Sequence, residues 1–151
     1  MDALSRFYGN VTWTGTIEAG ATGPGTPAMT VAGRGVQHHI QDGLWVVADY
    51  EQDQFLSDGT FVLTWKVHWV TGWDAQAGEY RAVLTDNNAQ AAIMRGRIDG
   101  DVLTYETFGD GPMRLRLRWD GTAAPDVKFT SEMSRGGGPW SLAETYTMTP
   151  A

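Results

Sequence analysis

"GWDAQAGEYRAVLTD", residues 72–86, decides the fold of this chain. Asp74 to Gly78 is a turn former, and the residues after it alternate. Tyr80, Ala82 and Leu84 fall on one side of an extended strand, Arg81, Val83 and Thr85 on the other. The stretch therefore reads as a β-hairpin with one apolar face. Asp86 continues the apolar row. It is either a satisfied structural group at a rim or part of a site.

The same punctuation runs through the chain. Asp42-Gly43, Asp58-Gly59, Asp99-Gly100, Asp110-Gly111 and Asp120-Gly121 are Asp-Gly pairs, whose residues tolerate positive φ and make tight hairpin turns. "DNNAQ" (86–90) and "RGGGP" (135–139) add two more turns, and "EAGATGPGTPAMT" (18–30) is a Gly/Pro-rich loop. Between them lie short segments rich in Val, Thr, Trp, Tyr and Leu. The spacing predicts about ten strands, near 10–18, 29–41, 44–55, 60–72, 79–86, 91–98, 102–108, 113–119, 127–134 and 140–148. "MDALSRFYG" before them fits a short N-terminal helix. No repeat or linker interrupts the pattern, so residues 1–151 read as one domain.

A meander of this length must hide its edge strands, and an antiparallel up-and-down barrel does so by closing on itself. A two-sheet sandwich is the alternative. "MRLRLRW" (113–119) places Met113, Leu115, Leu117 and Trp119 inside and Arg114, Arg116 and Arg118 outside. "FVLTWKVHWV" (61–70) likewise turns Phe61, Leu63, Trp65, Val67 and Trp69 inward.

The segment "VTGWDAQAGEYRAVLTDNNAQAAIMRGRIDGDVLTYE" (70–106) resembles a family of small lipocalin-like, calycin-type barrels of unknown function. The resemblance rests on Gly72-Trp73-Asp74, Glu79-Tyr80, Asp86, Gly96, Asp99-Gly100 and Leu103-Thr104, with "DGLWVVADYE" (42–51) and "AETYTM" (143–148) in support. It implies an all-β barrel with a cavity and carries over no catalytic residue.

Bulk composition narrows the function. The net charge of −7 argues against nucleic acid or an anionic membrane as partner. With no Cys, thiolate chemistry and disulfides are excluded. "LWVVA" is too short to span a bilayer and the first ten residues lack a signal-peptide pattern, so a cytoplasmic protein is expected. Adjacent His38 and His39 point to opposite faces of a strand and only His68 remains, so no metal is expected. A haem would need His38 as its axial ligand; no cofactor is expected either.

Continuing the interior parity places polar groups on apolar faces: His38 beside Val36 and Ile40, Tyr50 beside Val46 and Ala48, and Asp86. It does the same for Glu106 beside Val102 and Phe108, and for Glu144 and Tyr146 beside Trp140, Leu142 and Met148. An inward carboxylate is costly without a partner, so each is a hydrogen-bonded plug or a functional group. Asp86, Glu144 and His38 are the acid–base candidates. Tyr50, Trp65, Trp69, Tyr80, Met94, Glu106, Phe108, Trp119, Trp140 and Tyr146 are the candidate ligand-binding lining.

Two functions fit. The barrel binds a hydrophobic or aromatic small molecule. Alternatively it is a cofactor-independent enzyme, a cyclase, isomerase or hydrolase of a metabolite in a biosynthetic pathway, working largely by holding its substrate in a reactive shape. A homodimer is compatible with either. A protein-interaction domain would need an exposed apolar patch, which the outer alternation does not predict.

Overall fold

The computed structural model describes residues 2–109 and 111–151. Ten antiparallel strands follow one turn of helix, α1 (Asp2–Ser5). They are β1 (Val11–Ile17), β2 (Met29–Ile40), β3 (Trp45–Phe55), β4 (Phe61–Asp74), β5 (Glu79–Asp86), β6 (Ala91–Asp99), β7 (Val102–Thr107), β8 (Met113–Asp120), β9 (Val127–Arg135) and β10 (Ser141–Pro150). Each strand pairs with the next, and β1 pairs with β10 to close the barrel. The expected architecture and strand positions hold. Turn chemistry explains this: at Gly43, Gly59 and Gly100 the backbone takes the positive φ that the Asp-Gly pairs allow. The Asp110-Gly111 turn lies partly outside the described residues.

One end of the barrel is stoppered by the N-terminal segment. Leu4, Phe7 and Tyr8 are buried there, and Tyr8 meets Trp119 edge-to-face at 5.6 Å. Arg6 ties the segment to the β6–β7 turn through Asp101 at 2.7 Å. Above the stopper, Trp69, Tyr105, Trp119 and Met94 fill the interior, all essentially inaccessible. Each such side chain contributes about 1.5–3 kcal/mol by burial.

On β2, two glycines make room for large rings. A Cβ on Gly33 would lie 2.2 Å from the Trp13 indole, and one on Gly35 would lie 2.3 Å from the Tyr50 ring. The rings of Trp13 and Tyr50 therefore occupy the space that side chains at Gly33 and Gly35 would fill.

Three parity expectations are corrected. On β2, Met29 and Val31 set the inward row, which continues through Gly33, Gly35 and Gln37; His38 is exposed on the outer face, opposite Val47. Val36 and Ile40 share this outer row with His38 despite being apolar, and Val36 is out in solvent. On β7, Leu103 and Tyr105 take the interior, paired in register with the inward Trp119 and Leu117 of β8. Glu106 and Phe108 consequently face out. On β10, a bulge between Leu142 and Glu144 reverses the alternation, so Leu142 is exposed while Glu144, Tyr146 and Met148 point inward.

The outer face is less polar than the alternation predicts. Val47, Val70, Val83 and Ile93 form one cross-strand row, and Phe108 joins it through a backbone hydrogen bond to Ile93. Val83, Ile93 and Phe108 remain exposed in that row. β-branched residues suit strands on either face, so they report inward direction weakly.

Candidate functional site

The interior becomes polar toward the middle of the barrel. Trp13 stacks on Tyr146 (5.0 Å between centroids, 18° between planes), and Tyr146 stacks on Phe129 (4.3 Å, 19°). Tyr50 meets Trp13 edge-on at 5.7 Å. Against this aromatic wall stand Gln52 and Glu144. Trp13 Nε1 donates to Gln52 Oε1 at 2.8 Å, fixing the amide with its NH2 group turned away.

Glu144 owes its position to the β10 bulge. The register after the bulge sets it opposite Ser131 on β9 and Ile17 on β1, and Glu18 N donates to the Ala143 carbonyl at 2.8 Å, holding the bulge closed. Burial lifts the Glu144 carboxyl from its ordinary 4.5 to about 7, opposed only by the nearby Gln52 amide. The two are not aligned as a hydrogen bond: Glu144 Oε1 and Gln52 Nε2 are both buried without a partner among the described residues, as is the Tyr50 hydroxyl. Burial also raises the Tyr146 phenol, reinforced by the charges of Glu144 and Tyr50. The Tyr50 phenol is raised by burial and by Tyr105.

The polar seam extends to the stopper. Tyr8 Oη, Trp69 Nε1 and Trp119 Nε1 are also buried without partners. Burial pushes the Tyr105 phenol up to about 12, against the pull of the Thr71 hydroxyl that it hydrogen-bonds. Native interiors leave few polar groups unpaired, because each costs about 1–3 kcal/mol.

The other expected residues separate into three groups. Asp86 does face the interior, paired in register with Val67, but it is fully engaged. Its Oδ2 accepts from Trp65 Nε1 at 2.9 Å, and its Oδ1 accepts from the backbone of Asn88 and Gln90, each at 2.9 Å. It holds the β5–β6 turn and anchors Trp65. Tyr80, Trp69, Met94 and Trp119 are interior packing residues of β5, β4, β6 and β8. Glu106, Phe108, Trp140 and His38 are outside. Glu106 accepts from Arg116 Nε at 2.9 Å, Phe108 lies under Arg81 at 4.4 Å, and Trp140 lies under Arg116 at 4.1 Å. The arginine stripe is thus on the outer face, with Arg116 and Arg118 ion-paired and Arg114 over Trp140 at 5.1 Å. With His38 outside, the interior position expected of an axial haem ligand is not filled by that residue. Among the described residues no three His, Asp or Glu side chains converge as a metal site.

Trp13 and Gln52 belong to the site and were not singled out from sequence. Both were legible there. "VTWTGTI" alternates with Trp13 on the Val11 and Ile17 side, and "VADYEQ" puts Gln52 on the side of Ala48 and Tyr50. A cleft of about 340 Å³ lies between the β1–β2 loop and the β9–β10 turn, lined in part by Met133, Arg135 and Ser141. Met133 and Ser141 pair next along the strands from Ser131 and Glu144, so the cleft adjoins the carboxyl's end of the barrel.

Comparison with known proteins agrees with this architecture. Residues 2–149 match the family described as protein of unknown function DUF1579, and the chain belongs to that family. The crystal structure of Rv2717c from M. tuberculosis is similar in fold, with a TM-score of 0.63 at 17% identity, over 99% of this chain and 96% of that one. No curated protein matches in sequence. No helix among the described residues is long and apolar enough to cross a membrane.

Proposed function

For a DUF1579 member with this interior, we propose that the lipocalin-like barrel binds a small apolar or aromatic molecule between the Trp13–Tyr146–Phe129 stack and the unpartnered groups of Tyr50, Gln52 and Glu144. One observation carries the reading: three buried polar atoms, Tyr50 Oη, Gln52 Nε2 and Glu144 Oε1, are left without partners beside a wall of stacked rings. Pockets for small molecules have this composition, mostly aromatic and apolar with a few polar groups that fix orientation. A ligand that satisfies these atoms recovers the cost of leaving them unpaired.

Native mass spectrometry of the purified protein, followed by NMR shift mapping with any mass found bound, tests the reading. Perturbation of the Trp13 indole NH, the Gln52 side-chain amide and the Glu144 carboxyl is expected. Perturbations confined to the outer strand faces would overturn it.

A second reading, a cofactor-independent enzyme, is favoured by one specific feature. A carboxyl near 7 holds and releases a proton at neutral pH, as a general acid–base group must. Conversion of a bound molecule that depends on Glu144, rather than its unchanged retention, distinguishes the two.

A further inference from the structure

The barrel sorts its charges by sign. Among the described residues, the Arg and Lys side chains of the strands other than Arg135 have outward register, and Arg34, Lys66, Arg81, Arg95, Arg116 and Arg118 are in ion pairs on the outer surface. Arg135 continues the inward row of β9 at the rim, opposite Met113, but is exposed and gives its guanidinium to the carbonyls of Gly20 and Ala21. The ionisable acids with inward register are Asp86 and Glu144. Asp86 is saturated by Trp65 and its own turn. Glu144 is left as a buried acid with an oxygen to spare and no cation to balance it.

We infer that the ligand of this interior site is a monocation, an aromatic or apolar body whose protonated nitrogen docks on Glu144 Oε1. The inference rests on the ligand-binding reading above and names the chemistry of that ligand. A protonated amine supplies the missing positive charge and donates to Glu144 Oε1. The electron-rich rings of Trp13, Tyr50 and Tyr146 line the same space and favour a cation further. An anion finds no free inward-facing positive charge there, because Arg135 is turned to the rim carbonyls, and above about pH 7 a neutral molecule leaves the ionised Glu144 unbalanced.

Proton balance follows. Below about pH 7 Glu144 carries a proton. A cation entering at low pH displaces that proton to solvent and leaves a carboxylate–ammonium pair, so affinity falls as pH drops. Other groups facing Glu144 do not alter this. The β1 neighbours Gly15 and Ile17 and the β9 neighbour Ser131 carry no charge. Gln52 is neutral, the phenols of Tyr50 and Tyr146 stay protonated, and Glu132 turns outward to Arg116.

The test uses matched probes: benzylamine and tryptamine as cations, benzyl alcohol and tryptophol as their neutral counterparts. Affinities are measured by NMR titration at about pH 6 and about pH 8, for the natural protein and for Glu144→Gln. Each amine is expected to bind about tenfold or more tighter than its alcohol at the higher pH, and to lose about tenfold at the lower. In Glu144→Gln the preference should vanish while alcohol binding persists, which also shows that the variant is folded. Equal binding of amine and alcohol, or a preference that survives Glu144→Gln, would overturn the cation assignment while leaving the interior as a binding site. If no probe perturbs Trp13, Gln52 or Glu144, both readings fall.

Discussion

Replacing Glu144 by Gln should stabilise the protein, increasingly so as pH rises. The carboxyl has an ordinary value of 4.5 and sits at about 7 in the folded barrel because burial disfavours its charge. Below about pH 4.5 it is protonated in both the folded and unfolded chain and has no effect on the balance. Between 4.5 and 7 the unfolded chain has released the proton while the barrel still holds it. The folded state binds more protons there, so stability declines with rising pH, and the loss is complete once the folded carboxyl has ionised. The full gap corresponds to about 3 kcal/mol at about 1.36 kcal/mol per pH unit. Gln has nearly the same shape and no charge, so Glu144→Gln escapes that loss. Guanidinium unfolding of both proteins at several values between about pH 4.5 and about pH 8.5 measures the difference directly. It should be near zero at the acid end and approach about 3 kcal/mol at the basic end. A difference that does not change with pH would show that Glu144 ionises as freely in the barrel as in water, and would refute the burial argument.

Tyr50→Phe should leave melting temperature unchanged or raised, because the hydroxyl is buried without a partner, and should weaken ligand binding about tenfold in the NMR titration. Gly33→Ala should cost about 2 kcal/mol or more in guanidinium unfolding, since the new methyl would overlap the Trp13 ring, and should shift the Trp13 indole resonance. Asp86→Asn should cost about 1 kcal/mol by weakening the Trp65 and turn hydrogen bonds, with alcohol-probe affinity per folded molecule unchanged; a large loss of affinity would move Asp86 into the site.

The barrel was legible because its turns are local chemistry. Asp-Gly pairs and the segments between them report strand ends without knowledge of what packs where. Face assignment was legible only where apolar residues occur on one side alone, as in β8, whose Leu115 and Leu117 oppose three Arg. It failed on β2, where the inward row contains Gly33 and Gly35 and the outward row contains Val36. Those glycines face inward because rings from neighbouring strands lie over them, a tertiary reason that a strand read alone does not carry. It failed on β7 because both rows of "VLTYETF" hold apolar residues and only comparative burial chooses between them. On β10 the expected inward row was right from Glu144 onward and wrong before it, because the bulge after Leu142 has no marker in the sequence. Of the candidate site, Tyr50, Glu144 and Tyr146 converge. Trp13 and Gln52 were recoverable from the same alternation that found Tyr50.

Asp86 and Glu144 pose the same sequence question, a carboxyl at the end or middle of an apolar row, and the barrel answers it differently for each. Asp86 receives three donors, two of them from the backbone of its own turn. A group satisfied by adjacent chain is accounted for by the fold. Glu144 receives no such set: one of its oxygens is unpartnered, and its neighbour Gln52 offers an unpartnered NH2. Burying it destabilises the fold at neutral pH, and a single change to Gln would relieve that. Structural plugs are expected to lower the energy of the fold they close, whereas groups kept at a stability cost are characteristic of sites whose partner comes from outside the chain. On that criterion the opening hairpin's Asp86 closes its strand, and Glu144 is the carboxyl we propose for the ligand.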